Sequence, residues 1–115
     1  MTLDPPMAAK ILDRAADLVD QGWCRFTQAK DVSGRLAVRP TAPEAAQWCL
    51  IGAIIMAEHE LTGEPPEAIE RGILGRAPWN RILARHHDAR WNIEPERTAD
   101  EVAAFLRTEA EKLRS

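Results

Sequence analysis

Hydrophobic and polar positions follow a helical period at both ends of the chain and lose it in the middle. Met7, Ile11, Leu12, Ala15, Leu18 and Val19 recur at intervals of three and four. They predict an amphipathic helix over residues 5–21, with Pro5 and Pro6 in its first turn. Asp13, Arg14, Asp17 and Asp20 fall on the other face. Gly22 stands where a left-handed residue would close the helix. Residues 23–39 read differently. Trp23-Cys24-Arg25-Phe26-Thr27 and Leu36-Ala37-Val38 flank Asp31-Val32-Ser33-Gly34. That pattern predicts a small β-hairpin with a loop longer than two residues. A lone hairpin is marginal in water, so it must lie against the helices.

The middle of the chain holds Trp48-Cys49-Leu50-Ile51-Gly52-Ala53-Ile54-Ile55-Met56-Ala57, an uncharged run. A helix that is apolar on all sides has neighbours on all sides. The run predicts a buried central helix over about residues 43–61. Thr41 and Glu44 have the spacing of a capping box at its start. Glu58, His59 and Glu60 end the apolar run, and Thr62-Gly63-Glu64 breaks the helix. Gly52, in mid-helix, costs about 1 kcal/mol relative to Ala, a cost that points to close approach by another element.

Pro66 opens a short helix, Glu67 to about Ile73, carrying Ile69 and Ile73. Pro78 opens another, with Trp79, Ile82, Leu83 and His86 on one face, and Trp91-Asn92-Ile93-Glu94-Pro95 interrupts it. Thr98-Ala99-Asp100-Glu101 is a second capping box. The helix after it runs to near Leu113, with Val102, Phe105, Leu106 and Leu113 as its stripe. The expected fold is mainly α: a single helical domain, residues 1–115, of about five helices around the buried run, with the hairpin on one side.

Composition narrows the class without naming a function. The 115 residues are 45% hydrophobic and 29% charged, ordinary for one folded domain. The net charge of −3 provides no global attraction to nucleic acid or an acidic membrane. The uncharged run is too short to cross a bilayer, which takes about 20 apolar residues. Asp4, Pro5 and Pro6 stand where a signal peptide would carry its basic and apolar regions. The expected location is therefore the cytoplasm, with Cys24 and Cys49 reduced.

Several motifs keep a characteristic order. Gly22-Trp23-Cys24 follows the first helix, and a small loop contains Asp31 and Gly34. Trp48-Cys49 precedes Gly52-Ala53. Trp91-Asn92 comes next, then Arg97-Thr98-Ala99-Asp100-Glu101-Val102. In this the chain, over about residues 8–113, resembles the small bacterial and phage proteins catalogued as domain of unknown function 6197. Ile93 stands where that family often has an acidic residue after Trp-Asn. The resemblance implies a helical fold and brings no activity with it.

Candidate chemistry is sparse. Two distant thiols with His59, His86 and His87 lack the close ligand pairs of a zinc site, so no metal or cofactor is expected. A thiol enzyme would use Cys24 or Cys49, with His86 as base and Asn92 or Asp88 orienting it. No local pattern supports that arrangement, and a buried thiol is the commoner fate of a free cysteine. Charge placement is more informative. Arg71, Arg76, Arg81, Arg85 and Arg90 face Asp88 alone within residues 71–90. Arginine makes bidentate contacts to carboxylate and phosphate. Trp79 and Trp91 are the tryptophans expected at the surface, and Trp23 and Trp48 those expected in the core.

The expected function is binding without chemistry, by a regulator, inhibitor or accessory factor. Its surface would be residues 71–91, with Arg76, Trp79, Arg81, Arg85, Arg90 and Trp91 as contacts. The expected partner is a protein, with acidic character suiting the arginines. An exposed Trp face equally suits a second copy of the chain. The alternative is nucleic-acid binding through a helix-turn-helix-like segment at 66–90. The bland reading of the arginines is a solvated face paired with the domain's own acids, Glu67 and Glu70 among them.

Overall fold

The computed structural model describes residues 3–24, 28–36, 39–73, 75–85 and 97–114, with only the backbone of residues 84 and 85. Among them are five helices: α1 (Pro5–Gln21), α2 (Leu50–Thr62), α3 (Pro66–Gly72), α4 (Trp79–Arg85) and α5 (Ala99–Arg114). Two short strands, β1 (Ala29–Lys30) and β2 (Gln47–Trp48), pair antiparallel with Ala29 opposite Trp48 and Lys30 opposite Gln47. The fold is mainly α with a small hairpin. No helix among the described residues is long and apolar enough to cross a membrane.

The amphipathic ends form as their periodicity requires. α1 begins at Asp4, whose carboxylate accepts from the Met7 N–H at 2.8 Å. It buries Ile11, Leu12, Ala15, Leu18 and Val19 from the predicted stripe, and Ala8, Ala9 and Ala16 besides. α5 begins with the predicted capping box. The Thr98 hydroxyl accepts from the Glu101 N–H at 3.2 Å, and Glu101 accepts from the Thr98 N–H at 3.1 Å. α1 packs against both α5 and α2, and α2 packs on α3. Most of the apolar run is buried, with Ala53, Ile54, Ile55 and Ala57 fully enclosed and Cys49, Ile51 and Met56 half-buried, and it shares the centre with α1.

Three local expectations change. The central helix starts at Leu50, not near Pro43; residues 41–44 are turns, and no capping box forms there. Trp48 lies in β2 instead. Its N–H donates to the Gly22 carbonyl at 2.9 Å, its carbonyl accepts from Cys24, and its indole N–H donates to the Pro40 carbonyl at 2.8 Å. A continuous apolar run suits a buried strand as well as a buried helix, so periodicity could not mark this boundary. Cys49 is the N-cap, its sulfur accepting from the Gly52 N–H.

The hairpin is also rearranged. Lys30 bridges Leu36 around the 31–35 loop, but β1 takes its second partner from β2, a segment expected to be helical. Trp23 forms a parallel bridge to Trp48 on the other side. Lastly, Gly22 is extended, at φ −174°, not left-handed. The glycine is required there because a Cβ would overlap the Ala46 carbonyl oxygen.

Candidate functional site

The arginine-rich segment enters the core before it reaches the surface. Trp79, at the start of α4, is 0% exposed, so the expectation that it forms part of an exposed surface is corrected. Ile82 and Leu83 follow it into the core on the same face. Burial of an indole requires a partner for its N–H. That partner is Glu58 of α2, whose Oε1 accepts from the Trp79 Nε1 at 2.8 Å. Glu58 is itself 0% exposed. Arg76, in the segment joining α3 to α4, donates from Nη2 to both Glu58 oxygens, at 2.5 and 2.6 Å. One buried carboxylate thus ties α2 to the Arg76 segment and to α4.

Arg76 therefore does not project as a free cation. Its side chain is 20% exposed and its charge is balanced by Glu58. Its Nε–H has no acceptor, and among the described residues the guanidinium bonds only through Nη2. Arg76 and Glu58 line a cavity of about 700 Å³. Thr62 and Glu64 contribute polar lining; Leu3, Ala68, Gly75 and Ala77 contribute small or apolar surface. The α2 terminus shapes one rim. Gly63 takes a left-handed φ of 75°, Thr62 donates to the Glu58 carbonyl at 2.7 Å, and His59 Nδ1 lies 2.8 Å from the Glu64 carbonyl.

Of the remaining predicted contacts, Arg81 alone is described with its side chain. Arg81 is exposed on α4 and makes no ion pair among the described residues. Arg85 closes α4, with its side chain outside the description; Arg90 and Trp91 lie outside the described residues altogether. The helix-turn-helix expected at 66–90 is described only as α3 and α4, up to residue 85. Of the remaining tryptophans, Trp48 is in the core and Trp23 packs half-buried against it, both as expected.

Sequence reasoning missed Glu58, treating it as the end of the apolar run. The signal was present: Glu58 stands four residues after Ile54 and three after Ile55, which places it on their buried face.

The cysteines are brought side by side. The Cys24 N–H donates to the carbonyl of Trp48, the residue before Cys49. Burial pushes the Cys24 thiol up to about 11, with repulsion from Cys49 a second cause. Burial also raises Cys49, against the opposing bond from the Gly52 N–H. A thiol so placed is a poor nucleophile at neutral pH. His86, Asp88 and Asn92, the expected partners of a thiol enzyme, lie outside the described residues. Among the described residues, no cluster of three His, Cys, Asp or Glu is placed to hold a metal ion.

Fold and site define a small helical protein with an open cavity, lined in part by a guanidinium that Glu58, also in the lining, holds in place. The chain belongs to a family of unknown function, DUF6197, whose model matches residues 4–112. No curated protein and no solved structure matches it.

Proposed function

We propose that this is a small cytoplasmic binding protein without chemistry of its own, a regulatory, inhibitory or accessory factor that docks on another protein. The partner inserts a side chain into the cavity beside Arg76 and presents a main-chain carbonyl or similar oxygen to the guanidinium. The carrying observation is the state of Arg76: one nitrogen is held by Glu58, and donors remain on a side chain that lines the cavity. A donor already fixed loses little conformational freedom when a ligand arrives.

Charge favours a protein over a nucleic acid. Glu58 offsets Arg76, and Glu64 adds a negative charge to the same lining. A phosphate would meet no net positive charge there, whereas a neutral carbonyl still gains a hydrogen bond. The apolar contributions of Leu3, Ala68 and Ala77 suit an inserted aliphatic or aromatic group.

Filling the cavity tests this. A Cβ at Gly75 meets nothing within 4 Å. Gly75→Phe should therefore be accommodated without disturbing the Glu58 network, and Ala68→Phe, in the same lining, should narrow the cavity from α3. Immobilised protein is presented to a lysate of its source cells, and the recovered partner is then titrated against wild type and both variants. The expected outcome is at least about a tenfold loss of affinity in both variants, with little dependence on salt. Unchanged affinity in both, or recovery of nucleic acid that moderate salt releases, overturns the proposal.

A further inference from the structure

A second surface lies away from the cavity, on the loop that Lys30 and Leu36 close. Val32 is 87% exposed and Leu36 73% exposed. They are the two most exposed large apolar side chains among the described residues. The loop that carries them is tightly organised. Asp31 accepts from the Ser33 N–H at 2.9 Å, the Ser33 hydroxyl at 2.7 Å and the Arg35 N–H at 2.9 Å. The Asp31 N–H donates to the Arg35 carbonyl, and the Gly34 N–H to the Asp31 carbonyl. Gly34 supplies the left-handed residue this path needs, at φ 88°. From below, the Gln47 side chain donates to the Asp31 carbonyl. The exposed pair is therefore held on a frame that is set before any contact forms.

Several cations elsewhere on the molecule are held by its own acids. Arg14 pairs with Glu60, Arg39 with Glu67, Arg107 with Asp17 and Asp20, and Arg114 with Asp13 and Glu111. Arg35, exposed, and Lys30, half-buried with its charge also acting on Cys24, make no ion pair among the described residues, as is true of Lys10, Arg71 and Arg81. The one acid of the loop, Asp31, has its carboxylate held by the loop's own N–H and O–H groups.

We infer that Val32 and Leu36, on the loop that also carries Lys30 and Arg35, form a docking surface for an acidic segment of another protein, one that carries an apolar residue among carboxylates. The apolar residue covers the exposed pair, and the carboxylates meet the two unpaired cations. Two other occupants fit less well. A second copy placed across a two-fold axis would gather the same cations from both copies into one interface. An anionic membrane surface is usually held by clusters of four to eight basic residues, and this chain carries a net charge of −3. The inference does not depend on the cavity, and Gly75→Phe leaves it untouched.

The test pans a random dodecapeptide phage library on the immobilised full chain, with the V32S/L36S double variant as the counter-target. Both side chains are mostly in solvent, so the variant should keep the wild-type melting temperature. The expected consensus is an apolar residue flanked by Asp or Glu. A synthetic consensus peptide should bind V32S/L36S and Arg35→Glu each about tenfold more weakly than wild type, the scale of one contributing interface residue. Recovery no better than on V32S/L36S overturns the inference, as does a consensus without acids. Two further results overturn it in favour of another occupant. One is Val32- and Leu36-dependent binding to phosphatidylcholine vesicles containing phosphatidylserine; the other is a concentration-dependent dimer that V32S/L36S abolishes.

Discussion

Glu58 is an ionisable group at the end of the apolar run of α2, and its surroundings satisfy it from two directions. Arg76 supplies opposite charge at hydrogen-bond distance and Trp79 supplies a neutral donor. Removing one partner of such a pair leaves the other charge buried, which typically destabilises by about 3–5 kcal/mol. Glu58→Ala should lose stability on that scale in urea denaturation. The double replacement Glu58→Leu with Arg76→Leu should recover much of it, because an apolar pair of similar volume removes both desolvation penalties. If the double variant is no better than the single, the network is not the source of the loss. Cys24 makes a prediction in pH. Its folded value is raised from 9.0 to about 11, so between those values the unfolded chain has released a proton that the folded chain retains. The unfolded state then binds fewer protons, and stability falls as pH rises through that window. Urea midpoints measured from pH 8 to pH 11 should decline, and Cys24→Ala should flatten the decline.

At the scale of elements, α1 and α5 were legible because each is amphipathic and each carries its own start signal, Asp4 with Pro5 and Pro6 in one and the Thr98–Glu101 box in the other. The start of α2 was not legible. Trp48 and Leu50 are equally apolar, and what separates strand from helix there is a contact with Gly22, Cys24 and Ala29, all distant in sequence. Gly52 was legible in kind: its presence implied close approach, and the approaching group is the Gln28 carbonyl, which an added Cβ would overlap. Gly52→Ala thus sets two effects against each other. Helix propensity gains about 1 kcal/mol. Pushing β1 off α2 is an overpacking error, typically about 1–3 kcal/mol where a core is already close-packed, and here the obstacle is backbone that cannot rotate away. The expected net result is destabilisation, read as a lower urea midpoint. A gain in stability would show that the Gln28 segment yields.

For the whole molecule, the two terminal helices close the fold on each other. Asp13 meets Arg114, while Asp17 and Asp20 meet Arg107, so α1 and α5 run antiparallel. All three are half-exposed, and the Arg107 pairs are worth about 0–1 kcal/mol each. The seam beneath them, with Leu12, Ala15, Val102 and Leu106 enclosed, carries far more. Leu106→Ala should cost about 2–5 kcal/mol and Arg107→Gln less than about 1 kcal/mol, both measured by chemical denaturation. Equal losses would mean that the seam is held by charge instead of packing.

The amino-acid order alone determined the helical class, the extents of α1, α3 and α5, the burial of most of residues 50–57 and the need for a glycine at 52. All of these follow from local periodicity, caps and sterics that a single segment carries within itself. It also drew attention to Arg76 and Trp79, though not to their fate. Only the tertiary structure decided that Trp48 is a strand residue, that Trp79 is enclosed, that Glu58 holds Arg76 at the cavity wall, and that Val32 and Leu36 stand exposed beside unpaired cations. The physical reason is common to all four. Whether an apolar or charged side chain meets solvent, an acid or a neighbouring backbone is set by residues far away in the chain, and no local pattern records where those residues will be.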